Sequence, residues 1–169
     1  MTDQAKPAGV SSLKQRIDQD TKEALKNRDS LRLNVLRMLK SEIKYKEIEL
    51  GSELSDDEVI SVLSSSVKKR KDSIQQFEKG GRDDLASKEK AELELILKYL
   101  PEQLTEEELS QIINQAIKET NAIGSSDLGK VMKQVMPKVR GRAEGKKVNQ
   151  MVSSQLSFDP ADNRSQTLK

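Results

Sequence analysis

The chain has 169 residues, a formal net charge of +2, 34% apolar and 34% charged residues, and neither cysteine nor histidine. Without cysteine there are no disulfides and no thiolate chemistry, and without histidine the commonest general base and metal ligand are gone. With 2% aromatic residues and few β-branched runs, long helices that bury one stripe fit this composition better than sheets.

In chain order, residues 1–10 and 158–169 are polar, contain Pro7 and Pro160 and show no periodicity; both are read as disordered tails. The start, MTDQAKPAGV, has no apolar h-region, and no run approaches the roughly 18 apolar residues of a membrane span. A cytoplasmic protein with no membrane partner is the resulting expectation.

Residues 11–100 read as an N-terminal helical domain. Ser11 or Ser12 can cap a first helix whose face carries Leu13, Ile17, Ala24 and Leu25. After a break at 27–30, a second helix runs to about Leu50 with Leu31, Val35, Leu36, Met38, Leu39, Ile43 and Ile48 as its stripe, and Gly51 ends it. Ser55 and Glu58 form a capping box for a third helix, with Val59, Ile60, Leu63, Val67, Ile74 and Phe77. Gly80-Gly81 stops it. A fourth helix, about Asp83 to Leu100, carries Leu85, Leu93, Leu95, Ile96 and Tyr99. Pro101 disfavours helical geometry at Leu100 and marks the domain boundary.

Residues 101–157 read as a C-terminal three-helix bundle. Thr105 and Glu108 make a second capping box, opening a helix with Leu109, Ile112, Ile113, Ala116 and Ile117 that Gly124 closes. Ser125 or Ser126 starts the next, with Leu128, Val131, Met132, Val135 and Met136, limited by Pro137. The last begins near Glu144 and carries Val148, Met151, Val152 and Leu156.

No GxxxxGK[ST] loop, Cys/His cluster or GxSxG elbow is present, so no catalytic residue, cofactor or metal is assigned. Carboxylates at helix starts, such as Asp56, Asp57, Glu106, Glu107 and Glu108, read as dipole complements. The run Lys68-Lys69-Arg70-Lys71 reads as a solvated face balanced by Asp57, Glu58, Asp72 and Glu78. Tyr99-Leu100-Pro101 reads as an apolar plug before a hinge.

The segment 124–150 stands apart. It holds seven cations (Lys130, Lys133, Lys138, Arg140, Arg142, Lys146, Lys147) against Asp127 and Glu144, a local excess of five. Glycines at 141 and 145 remove side chains where a sugar-phosphate backbone could approach, and the amides opening the last helix add to an anion site. With few aromatics for stacking, a folded RNA held through its phosphates fits better than a single strand.

The segments RLNVLRMLKSEIKYKEIE (32–49), GRDDLASKEKAELELILKYLPEQLTEEEL (81–109) and DLGKVMKQVMPKVRGRAEGKKVNQMV (127–152) resemble the YqeY-like family, small proteins related to the tail of the GatB subunit of the tRNA-dependent amidotransferase. The resemblance implies an all-α protein: an N-terminal helical hairpin region followed by a small three-helix, GatB tail-like bundle. In the amidotransferase that tail meets the tRNA elbow, and catalysis belongs to other domains. The resemblance therefore implies a non-catalytic tRNA-binding or tRNA-associated adaptor. The alternatives are an accessory role in carbon–nitrogen ligase activity with glutamine as amido-N-donor, with an amidotransferase or other translation-related protein as partner, and a helical protein-interaction module. On the matched motif an RNA-contact role carries over to Lys130, Lys138, Arg140, Arg142, Lys146 and Lys147.

Overall fold

The structure, a computed structural model, describes residues 12–157. The tails expected at 1–10 and 158–169 lie outside the described residues, as does Ser11. Among the described residues the fold is all-α, with seven α-helices and one short 3₁₀ turn. The chain divides into two compact units, one ending at Pro101 and one beginning at Glu102.

The first unit packs α1 (Ser12–Lys26), α2 (Ser30–Leu50), α3 (Asp56–Lys79) and α4 (Asp83–Leu97). Asp29, unassigned in the sequence reading, caps α2 by accepting the Arg32 amide. Gly51 ends that helix at φ 68°, a left-handed conformation in which glycine escapes the Cβ clash. Ser55 and Glu58 form the expected capping box of α3. The core takes Ile17 and Ala24 from α1, Val35, Leu36 and Leu39 from α2, and Val59 and Leu63 from α3. Leu25, Leu31 and Ile48, expected on buried stripes, are exposed instead.

Two polar clusters tie these helices together. Arg70 retains only 8% of its surface, so it is no part of a solvated face. Its Nη1 lies 2.7 Å from Glu89 and 2.6 Å from Glu92 on α4, and its Nη2 donates to the Met38 sulfur on α2 at 3.0 Å. Its partners come from α4, not from the sequence neighbours that balance charge on paper. Lys69, one residue earlier, reaches Glu42 on α2 at 3.4 Å.

The second cluster closes the unit. α4 ends at Leu97, and the Tyr99 and Leu100 amides make tighter bonds to the Ile96 and Leu97 carbonyls, as the residue before a proline is driven out of helical geometry. The Tyr99 ring is buried as an apolar plug. Its hydroxyl donates to Asp20 on α1, which also pairs with Arg32 on α2 at 3.2 Å. Arg16 lies 5.0 Å over the ring and donates to the Lys98 carbonyl. Burial, and then the Asp20 carboxylate, push the Tyr99 phenol up to about 12.

The second unit packs α5 (Glu106–Thr120), a 3₁₀ turn (Ser125–Asp127), α6 (Leu128–Val139) and α7 (Gly145–Ser157). Each helix gives three buried side chains at helical spacing: Leu109, Ile113 and Ala116; Val131, Val135 and Val139; Val148, Val152 and Leu156. The Thr105–Glu108 capping box forms as expected. Asn121, not Gly124, closes α5, at φ 50°; asparagine tolerates that region better than most residues. Pro137 sits inside α6 instead of limiting it. In the last turn its missing N–H costs one helical hydrogen bond, and the helix still runs two residues further.

Replacing Arg70 with Met strands Glu89 and Glu92 without their cation, and we expect a loss of about 3 kcal/mol for breaking such a pair. The compensated variant Arg70→Met/Glu89→Leu/Glu92→Leu should recover most of it. Urea unfolding of the full chain checks both.

Candidate functional site

The basic segment surrounds the turn between α6 and α7. The Val139 carbonyl accepts the Arg142 and Ala143 amides at 2.9 and 3.1 Å, and Gly141 occupies the left-handed region at φ 71°. Residues 102–104 lace this turn from outside. Gln103 Nε2 donates to the Gly141 carbonyl at 2.7 Å, the Leu104 amide donates to the Arg142 carbonyl at 2.8 Å, and Arg142 Nε donates to the Glu102 carbonyl at 3.0 Å. Gly141 is buried. Its missing side chain therefore serves the turn itself. At Gly145, by contrast, a Cβ would make only ordinary contact with Met136.

The six residues expected to touch RNA fall into distinct groups. Arg142 is half-buried and braces residues 102–104. Lys138 pairs with Glu119 at 3.3 Å, and Lys147 with Glu106 at 2.6 Å. Arg140 is exposed and has a partner within the protein. Lys130 and Lys146 are exposed and meet no acid among the described residues. Lys133, absent from the expected set, behaves like them; its place one turn after Lys130 on α6 is the signal that would have found it.

Pairing with α5 changes the local charge. Residues 102–157 carry eight cations and seven anions, so the excess of five along 124–150 shrinks to one once α5 and its flanks are included. Glu119 is the most engaged acid. Gln115, Gln134 and Lys138 all donate to it and hold its carboxyl down to about 2. Lys147 lowers the Glu106 carboxyl in the same way. Within the basic segment, Lys130 and Lys133 on α6 and Lys146 at the start of α7 are left without an acid among the described residues. The first amides of α7 lie beside the last of these.

Among the described residues no group of acids, histidines or cysteines could hold a metal, and no helix is long and apolar enough to cross a membrane.

A Glu119 carboxyl held low stabilises the fold above the ordinary carboxylate pKa of about 4.3, and that contribution disappears as pH falls toward 2. Glu119→Gln should therefore be less stable than wild type near neutrality and equal to it below about pH 2. Because the pair is exposed, the gap should be small and shrink with salt. Thermal unfolding followed by NMR signals of the second unit, at low and high ionic strength, checks this.

Comparison with known proteins places these features in a family. The family model described as "Yqey-like protein" matches residues 14–156. Proteins named "Altered inheritance of mitochondria protein 41, mitochondrial" are similar to the chain in several fungi. The one from Lachancea thermotolerans is 39% identical over 85 residues, covering 50% of this chain and 46% of that protein. The one from Pyrenophora tritici-repentis is 28% identical over 130 residues, 76% of this chain and 71% of its own length. One from Saccharomyces cerevisiae is 36% identical over 112 residues, 66% of this chain and 57% of its own. The chain thus spans about half the length of the first and third relatives. Their names overturn the cytoplasmic expectation, since all three are called mitochondrial. The physical reason is that an address resides in a separable targeting segment, so the composition of a folded domain does not report it.

Proposed function

We propose a function from one premise: the chain belongs to the Yqey-like protein family. In this reading it is a non-catalytic adaptor that holds a folded RNA, tRNA by the resemblance of its second unit to the amidotransferase tail. One observation carries the reading. Lys130, Lys133 and Lys146 stand exposed and unpaired among the described residues, whereas Lys138 and Lys147 of the same basic segment are held by acids of α5.

The preference is electrostatic. A phosphate at Lys138 or Lys147 must first displace a carboxylate, and Arg142 is committed to the turn. Unpaired lysines release counterions from the nucleic acid at no such cost. Helical amides at the start of α7 add donors for a phosphate beside Lys146. Three positioning contacts without aromatic stacking favour recognition of shape over sequence.

Binding of labelled total tRNA should fall with salt, with a slope of log K against log salt of about −2 to −3 for three phosphate contacts. Lys130→Glu/Lys133→Glu/Lys146→Glu should abolish it while leaving Arg142 and the turn intact. Salt-independent binding, or equal binding by the variant, would remove the reading.

A further inference from the structure

We infer that the open groove between α2 and α3 of the first unit is a docking site for an amphipathic helix of a partner protein that carries a basic side chain on its polar edge. The groove has a volume of about 650 Å³. Its walls repeat at helical spacing, with Ser41 and Tyr45 on α2 facing Ser61 and Ser65 on α3. From Glu58 to Lys69 it extends along α3 for about 16 Å at the helical rise, room for three turns of a third helix.

The interior is apolar. Leu54 is buried beneath it, and Tyr45 and Leu50 stand 73% and 50% exposed. Ile48, one turn along α2 from Tyr45, is 70% exposed. These are the most exposed of the large apolar side chains on α2. The wall serines make no polar demand on an occupant as donors, because Ser41, Ser61 and Ser65 each donate to the carbonyl four residues earlier at 3.0 Å.

The acids set the sign of the occupant. Glu58 lines the groove, but its carboxylate is taken by the Ser55 amide and hydroxyl at 2.8 Å. Glu42 is different. Its Oε1 receives only a long contact from Lys69, and its Oε2 is buried with no donor at all. Lys46 on the same rim is already held by Glu49 at 2.9 Å. An occupant with an arginine or lysine at the Glu42 end competes only with that long Lys69 contact for Oε1, while its apolar face covers Tyr45 and Leu50. Glu42 and Glu58 balance Lys46 and Lys69 along the lining, so the groove offers nucleic acid no cationic excess. The inference does not depend on the RNA reading, which concerns the other unit.

The test uses the full chain and two fluorescein-labelled, helix-stapled 14-residue peptides. Both have leucines at helical spacing, and they differ by one arginine or glutamate at the edge. The arginine peptide should bind at least tenfold more tightly by fluorescence anisotropy. Glu42→Gln should bring the two peptides to within about twofold of each other. Tyr45→Ser/Leu50→Ser, at exposed positions that leave the core untouched, should weaken both at least tenfold. Equal affinity of the two peptides for wild type, or unchanged binding by the Tyr45/Leu50 variant, overturns the proposal. So does sedimentation showing a wild-type dimer that the same variant dissolves, because the occupant would then be a second copy of the chain.

Discussion

The lacing of residues 102–104 onto the Gly141–Arg142 turn is the constraint on which the second unit's surface depends. A short segment before α5 satisfies the carbonyls of a turn nearly forty residues later, and Arg142 returns a bond to the Glu102 carbonyl. Gly141 makes it possible, since its left-handed conformation costs other residues roughly 1 kcal/mol or more. The clasp sets where α6 stops and where α7 starts. It also brings the acidic first turn of α5 toward Lys147. One arginine of the basic motif thereby becomes a brace, and the cations divide into those paired within the fold and those left unpaired among the described residues.

The first unit follows a related logic with different residues. Its apolar stripes are narrow and nearly free of aromatics, so helix identity and register rest on polar groups at the edges of the core. A guanidinium serves α2, α3 and α4 at once through Arg70, and one phenol joins the end of α4 to α1 through Asp20, with Arg32 extending the link to α2. Arg70 Nε remains buried without a partner. Removing one member of such a cluster is costly, whereas replacing the whole cluster with apolar groups need not be.

Much of this was legible in the chain because helices announce themselves locally. The capping boxes at Ser55 and Thr105, the glycine at 51 and the buried apolar positions of α3 and α7 follow from spacing and short-range hydrogen bonding. The errors arise where distant residues decide. Pro137 looks like a stop, yet packing of Val135 and Val139 carries α6 past it. Ile48 fits the α2 stripe but reaches beyond the helices that cover it. A linear count made residues 124–150 strongly basic, because Glu119 and Glu106 lie outside that window, on another helix. Burial of Arg70 was invisible for the same reason. The cellular compartment was not legible at all.

The claim that the basic segment is divided into bracing and available cations is tested most directly by amine footprinting. The full chain would be treated with a lysine-acylating reagent, free and saturated with tRNA, and modification at each lysine read by mass spectrometry. The account predicts protection concentrated at Lys130, Lys133 and Lys146, with Lys138 and Lys147 changing little. Protection centred on Lys138 and Lys147, or on lysines of the first unit, would contradict it.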